Sequence, residues 1–472
     1  MGCRRARATL PRVIAFALYV ALSMVLVVSH GHYGAGPVVM VVGAGLVLVG
    51  VGRAEAKERH LDAAVLLACV LVNLAILTAG NQMIYARETE PLKGMRTALI
   101  VTVLSTVLGL IASRHPHRYA KVAAPALVGV ALLAMFVVKG LVIRASPSPF
   151  IDVWTSSVAA VDHILAGRNP YSQQYSDIYA GQYAYKPGMP YGPAFLLWST
   201  LWAKLFGGQH DVRVGIVISE MLLSLGLGAI AFRRTKNLVL AGAIALVWTT
   251  NPIGLFVLEQ SWVDPPLMLA LVLCFLALSE RRLALAGVAL GFGFAVKTYS
   301  IVAVGLIALW VLKSEGLKGS RRFLIGAAAT ASVFVLPFLV MDASAFWNSM
   351  FGLWADQAPR ADALTLVALR AELEGLQGQG HEVLRPLYGP FNVLTLALSA
   401  FAAWWVFMRA GKSLARLAWA LSAVHVWFFL FARQAFCNYY YYALVFLMLC
   451  LAGFSARVVV PKAVQPRSPH DS

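Results

Sequence analysis

The residues of this chain that could do chemistry lie in a few polar segments within an otherwise apolar sequence. The longest such segment runs from Phe150 to Pro193, is rich in tyrosine and carries Asp152 near its start. Apolar residues from Trp154 to Leu165 recur at helical spacing, which predicts a short amphipathic helix there. A carboxylate at that position could accept a proton from a hydroxyl group, which makes Asp152 a candidate general base. The same pattern equally fits a helix N-cap, in which the Asp side chain accepts hydrogen bonds from the first turn's amides. Spacing alone leaves both interpretations open.

Basic residues supply the candidates for binding a phosphate group. Lys297 follows an apolar run, and a helix break is predicted before Thr298. A lysine ammonium binds phosphate as a point charge, although lysines at helix ends also commonly extend to the membrane surface. Arg433 precedes a run of four tyrosines at another predicted helix end. Lys139 and Arg360 are weaker candidates of the same kind.

A third group of residues could bind a sugar. Aromatic rings pack on the C–H groups of a pyranose, while amides and carboxylates bind its hydroxyls. Packing of the loop on itself is the alternative for the tyrosines, and N-capping before two prolines is the alternative for Asp264. These candidates are Glu259, Gln260, Asp264, Asn169, Tyr171, Tyr185 and Tyr191.

The composition indicates what must position these residues. Hydrophobic residues make up 60% of the 472 residues and charged residues only 13%, far fewer than the roughly 25% of soluble domains. Apolar runs of about 16 to 23 residues fit helices that cross a hydrocarbon core about 30 Å thick. The sequence therefore predicts an all-α polytopic membrane protein with about 12–14 transmembrane helices. Predicted spans lie near 12–30, 36–52, 62–79, 97–113, 122–144, 213–232, 238–257, 264–279, 283–297, 299–313, 323–341, 391–409, 414–432 and 438–455.

The net charge of +18 follows the predicted topology. Lys and Arg are concentrated in alternate connections, which the positive-inside rule places in the cytoplasm together with both termini. This distribution argues against a nucleic-acid partner and predicts that the polar segments 145–212 and 346–390 lie outside the cytoplasm. The apolar stretch from Tyr191 to Phe206 is predicted to lie at the outer surface as a helix.

Other kinds of site find no support in the sequence. The five cysteines are scattered, with no CxxC pair and no His at ligand spacing. No GxxxxGK[ST] motif is present, so nucleotide-sugar binding is not indicated. No cofactor is predicted, and a need for a metal ion stays open.

Several segments in order resemble the GT-C superfamily of membrane glycosyltransferases. They are Asp152 beyond a span, a helix ending in GRNPY, the motif YKPGMPYGP, and LALAGVALGFGFAVKTYSIV, which contains Lys297. The closest resemblance is to polyprenol-phosphate-mannose-dependent alpha-mannosyltransferases of phosphatidylinositol mannoside and lipoglycan synthesis. It covers roughly Val122 to Lys313.

The resemblance implies an inverting transfer of a sugar to a lipid or glycan acceptor on the extracytoplasmic face of the cell membrane. Mannose on a polyprenyl phosphate is the implied donor, while glucose or arabinofuranose stays open. Asp152 would be the general base, and Lys297 with Arg433 would hold the donor phosphate. Residues 1–120 depart from the family plan as an added four-helix module, before a catalytic core at 121–345 and C-terminal helices at 391–472.

Two other classes of function stay open at this stage. A transporter or flippase for a lipid-linked or small solute would share the helix number and the basic inner connections. Such a protein should line a path near the membrane centre with polar residues, whereas this chain concentrates them outside. The other alternative is a non-catalytic scaffold in an envelope-synthesis complex.

Overall fold

The computed structural model describes residues 10–51, 62–79, 82–115, 117–181, 188–206, 210–353, 357–377, 381–409 and 413–453. Every regular element in these ranges is helical, which confirms the all-α prediction. The first helices are α1 (Leu10–Ser29), α2 (Ala35–Val51), α3 (Ala63–Ala79), α4 (Thr89–Arg114), α5 (Arg118–Ala145), α6 (Asp152–Leu165), α7 (Pro193–Phe206), α8 (Arg213–Thr235) and α9 (Leu238–Thr249). They are followed by α10 (Ile253–Glu259), α11 (Asp264–Ser279), α12 (Leu283–Val296), α13 (Ile301–Met341), α14 (Ala343–Trp347), α15 (Leu366–Leu373), α16 (Arg385–Arg409), α17 (Leu414–Leu430) and α18 (Cys437–Gly453).

Four of the described helices are long and apolar enough to cross a membrane, namely α4, α5, α8 and α13. The pair α9 and α10 meets the same test as one span, but it is bent by 54°. Six more apolar helices in the described ranges are 14–17 residues long, which at about 1.5 Å per residue gives at most about 26 Å; they are α2, α3, α11, α12, α17 and α18. The polytopic helical architecture is therefore confirmed, although fewer of the described helices meet the test of length and composition than the 12–14 spans predicted.

A break at Gly316 divides the 41-residue helix α13. The backbone there has a φ of 72°, a conformation that glycine adopts without steric cost. The break falls between the predicted spans 299–313 and 323–341, inside the basic connection that separates them. The two spans exist as predicted, but they are joined by a single residue of non-helical backbone.

The helices before residue 120 pack into the same bundle as the C-terminal helices. Helix α1 packs on α18, α2 on α17 and α3 on α9. The Asn251 side chain donates to the Tyr19 hydroxyl at 2.8 Å, and the Asn73 side chain donates to Thr250 Oγ1 at 3.3 Å. Since a buried polar group is costly unless it is hydrogen-bonded, these contacts fix α1 and α3 against the bend between α9 and α10.

A buried ion pair holds the centre of the bundle together. Lys139 Nζ on α5 lies 3.0 Å from Glu220 Oε2 on α8, and both side chains are fully buried. Trp248 and Tyr441 also donate to the Glu220 carboxylate, at 3.1 and 3.2 Å. Buried charges are stable only when they are paired and hydrogen-bonded, so Lys139 has a structural partner inside the bundle.

The polar segment forms the predicted amphipathic helix. Helix α6 buries Val153, Ala160 and Val161, and it ends just before Gly167, whose φ is 70°. The predicted surface helix also forms, as α7, and it packs on α8 and α12. Its position relative to a membrane stays a prediction.

Candidate functional site

A cavity of about 330 Å³ brings together the connections that follow α1, α3, α5, α6, α10, α12, α14 and α17. All of these connections belong to the set that the charge pattern assigns to the outer side. The volume lies at the lower end of the range for small-molecule sites, about 300–1,000 Å³. The candidate residues that line it are Asp152, Tyr191, Gln260, Lys297 and Arg360.

Asp152 is the first residue of α6, and its carboxylate faces the cavity at a helix N-terminus. The cap position belongs to Ile151, which makes no side-chain capping bond, and Asp152 Oδ1 accepts from the next amide, Val153 N, at 2.8 Å. The side chain is half-buried. A carboxylate that faces a cavity can accept a proton from a bound hydroxyl, which is what a general base does.

Lys297 lies in the predicted break between α12 and α13. Its backbone is extended, with a φ of −155°, and a short 3₁₀ turn at Thr298–Ser300 follows. The break lets the side chain line the cavity although the residue is only 5% exposed. The Nζ atom also lies 4.9 and 4.8 Å from the ring centres of Tyr299 and Tyr439, which gives the ammonium two cation–π contacts.

Asp264 lies directly behind Lys297 and does not line the cavity. Both of its carboxylate oxygens are 3.2 Å from Lys297 Nζ. It also accepts hydrogen bonds from the Tyr299 hydroxyl and, at 2.8 Å, from the Asn438 amide. The cap position of helix α11 belongs to Val263, and the Asp264 carboxylate is engaged by these three partners. In this geometry the partner of Asp264 is Lys297 and not a sugar hydroxyl.

Residues 188–193, the described part of the YKPGMPYGP motif, pack tightly on the Lys297 break. Gly192 N donates to Val296 O at 3.0 Å. A Cβ atom added to Gly192 would lie 2.1 Å from Ala295 O, so only glycine fits here. The close approach holds Tyr191 against the cavity.

Gln260 supplies a buried amide to the same cavity. The residue is 4% exposed, and its Nε2 atom has no hydrogen-bond partner in the described part of the chain. A buried amide without a partner costs about 1–3 kcal/mol. A ligand oxygen in the cavity would satisfy it.

Glu259, the neighbouring candidate, is engaged elsewhere. Its oxygens accept from the backbone amides of Ile84 at 2.6 Å and Tyr85 at 3.0 Å, and the residue is fully buried. Glu259 does not line the cavity, and its carboxylate binds the connection between α3 and α4.

Asn169 and Tyr171 support the cavity from behind. Asn169 caps the 3₁₀ turn Pro170–Ser172 by accepting from Tyr171 N at 3.1 Å. The buried Tyr171 hydroxyl donates to Tyr191 O at 2.9 Å, and its ring packs on Phe346. Loop packing thus accounts for both residues, while Tyr191 reaches the cavity. The candidate Tyr185 lies outside the described residues.

The arginine that lines the cavity is Arg360. Its guanidinium binds both oxygens of Asp362, at 2.8 and 2.5 Å, and lies 4.8 Å from the ring centre of Phe436. Arg433 is not among the lining residues. Its guanidinium donates to Gln357 O at 3.1 Å, and its own carbonyl accepts from Arg360 N at 3.1 Å. Arg433 therefore supports the segment that carries Arg360.

A third buried ion pair, which lies behind α6, is absent from the sequence-based set of candidates. Arg213 binds Asp211 at 2.6 Å and donates to Ser146 Oγ at 3.1 Å. The Trp154 indole of α6 also donates to Asp211, at 3.4 Å. These bonds tie α6 to the ends of α5 and α8. An arginine two residues from an aspartate, in a segment predicted to be outside, is the signal that could have revealed the pair.

No group of three or more His, Cys, Asp or Glu in the described ranges has the geometry of a metal site.

Comparison with known proteins gives one finding. A model of glycosyltransferase family 87 matches residues 189–432, slightly more than half of the 472-residue chain. No curated protein and no solved structure matches. The matched region contains Lys297, Gln260 and Asp264, while Asp152 and the helices before it lie upstream.

Proposed function

The chain belongs to glycosyltransferase family 87, and we propose that it transfers mannose from a polyprenyl-phosphate donor to a lipid or glycan acceptor. The observation that carries this proposal is that one cavity is lined by both a helix N-terminal carboxylate, Asp152, and a buried ammonium, Lys297. Glycosyl transfer from a phosphate needs a base for the acceptor and a cation for the leaving group. The choice of mannose rests on the resemblance of the GRNPY, YKPGMPYGP and Lys297 segments.

On the donor side, Lys297 binds the phosphate. Its contacts with both oxygens of Asp264 hold the ammonium at one position, and the two tyrosine rings cover its sides. An ammonium held in a site with little water stabilises developing negative charge more strongly than it would in water. Arg360, the weaker candidate for binding phosphate, also lines the cavity, where its guanidinium is paired with Asp362.

On the acceptor side, Asp152 removes the proton. The acceptor oxygen attacks the anomeric carbon as its O–H proton passes to the Asp152 carboxylate. The bond between the anomeric carbon and the phosphate oxygen breaks, and its electron pair leaves with the lipid phosphate, which Lys297 binds. Attack from the side opposite the leaving group inverts the anomeric centre. Gln260 Nε2 binds a hydroxyl or phosphate oxygen of the substrate in the cavity.

We place the cavity on the extracytoplasmic side of the cell membrane, with both termini in the cytoplasm. The connections around the cavity are those with few basic residues, while a second cavity, between the ends of α4 and α8, is lined by Arg114, Lys121 and Lys236. The positive-inside rule assigns the basic end to the cytoplasm. The donor's lipid chain lies among the apolar helices.

The test is a transfer assay with purified protein in lipid nanodiscs. Polyprenyl phosphates that carry labelled mannose, glucose or arabinofuranose are supplied one at a time with a membrane lipid extract as acceptor. We expect lipid-linked or glycan-linked product from the mannose donor. An absence of product from all three donors would overturn the proposal, and product from another sugar alone would overturn the choice of mannose.

The same assay tests the phosphate role of Lys297. The double variant K297M/D264N removes both buried charges, so no unpaired charge remains to unfold the protein. Loss of one preorganised donor costs about 10²–10³-fold in rate, which sets the expected decrease. The control is K93M on α4, because Lys93 forms an exposed pair with Glu90 and does not line the cavity.

A further inference from the structure

The helices before residue 120 contribute a connection, residues 82–88, to the wall of the cavity, although the family model does not cover them. We propose that Tyr85 in this connection is a positioning residue for Asp152. This inference rests on the proposed function, since it concerns the residue that positions the proposed general base.

The connection at residues 82–88 is anchored at one end to α10 and at the other to α5. At one end, the buried Glu259 carboxylate accepts from the amides of Ile84 and Tyr85. At the other, Arg87 N and Glu88 N donate to Ala145 O, at 2.8 and 3.1 Å. Glu259 belongs to α10 and Ala145 to α5, so the position of Tyr85 is set by α10 and α5 and not by α3 and α4 alone.

Tyr85 in turn holds the main chain that leads into α6. Its hydroxyl donates to Phe150 O at 2.8 Å, two residues before Asp152. The Phe150 ring contacts Tyr179 edge-on at 5.8 Å, and the Tyr179 hydroxyl accepts from Asp152 N at 3.4 Å. The main chain on either side of Ile151 is therefore held from the connection at 82–88 and from the polar segment.

This arrangement gives the first four helices a part in catalysis. Ile84 and Tyr85 line the cavity beside the residues that lead into Asp152, so they form the wall on the acceptor side. A base displaced by 1 Å loses about 10²-fold in rate, because proton transfer depends on the alignment of the reacting atoms. Removal of the Tyr85 hydroxyl should then lower the turnover and leave donor binding unchanged.

The experiment compares Y85F with Y33F in the nanodisc transfer assay. Tyr33 lies in another connection of the first four helices, and its hydroxyl binds Glu372 away from the cavity. For Y85F we expect kcat to fall at least about tenfold with the donor KM unchanged, a smaller effect than full displacement of the base. Y33F should keep the wild-type values of both constants.

A second measurement does not depend on transfer. Hydrogen–deuterium exchange should be faster in the peptide that covers residues 150–156 in both Y85F and E259Q, and unchanged there in Y33F. If residues 150–156 of Y85F exchange as slowly as in wild type, or if its kcat equals that of wild type, the role of Tyr85 is overturned while the proposed function stays intact. If the wild-type protein transfers no sugar but residues 150–156 still exchange faster in Y85F, the proposed function fails and the contact from Tyr85 to the start of α6 is upheld.

Discussion

Replacement of Asp264 by Asn should destabilise the protein strongly, because it leaves a buried ammonium without its counter-charge. Asp264 is fully buried, and both of its oxygens lie 3.2 Å from Lys297 Nζ. At that separation and an effective dielectric constant of about 20, the attraction is about 5 kcal/mol. Removal of one partner from buried pairs costs about 3–5 kcal/mol, in agreement with that figure. We expect D264N to lose at least about 3 kcal/mol of unfolding free energy.

The assay is chemical unfolding of purified D264N in detergent, followed by tryptophan fluorescence. The matched control is D62N, since Asp62 forms an exposed pair with Arg114 at 4.0 Å and such pairs contribute about 0–1 kcal/mol. The double variant K297M/D264N should be more stable than D264N, because no unpaired charge is left. If D264N loses no more stability than D62N, or if removal of the lysine gives no recovery, the ion pair does not hold Lys297 as described.

Two further perturbations test other parts of the site. G192A should be about 1–3 kcal/mol less stable than wild type and should lose transfer activity, because its Cβ would lie 2.1 Å from Ala295 O. The control G129A has open space around its Cβ, so it should match wild type in transfer activity and in thermal unfolding. Burial raises the pKa of Asp362, but the hydrogen bonds and charge of Arg360 outweigh burial and hold the pKa below its ordinary value. This carboxylate therefore stabilises the fold at neutral pH and loses its effect as the pH falls through the lowered pKa. The deficit of D362N in a pH series of unfolding experiments should vanish in acid, and a deficit independent of pH would contradict this.

The sequence was sufficient for features that depend on local patterns. The amphipathic spacing from Trp154 to Leu165 predicted α6, and the break at Lys297 was predicted from the polar residues that interrupt an apolar run. The structure agrees because helix periodicity and helix ends are set mainly by residues near in sequence.

Partners far apart in the chain could not be predicted in the same way. Glu259 and Tyr85 are separated by 174 positions, and Asp264 and Asn438 also by 174. Nothing in the local sequence distinguishes a carboxylate that binds a backbone amide from one that binds a sugar hydroxyl. Asp264 and Glu259 were both predicted to bind substrate, while their contacts in the bundle are to Lys297 and to the connection before α4.

The rate of transfer by D152N tests the central claim most directly. Asp177 also lines the cavity, and its oxygens accept from the amides of Tyr179 and Gly181, bonds that an Asn oxygen can partly replace. General base catalysis contributes about 10²–10⁴-fold, so D152N should lose at least about 10²-fold in single-turnover transfer while D177N stays close to wild type. Full transfer by D152N would contradict the assignment of Asp152 as the base.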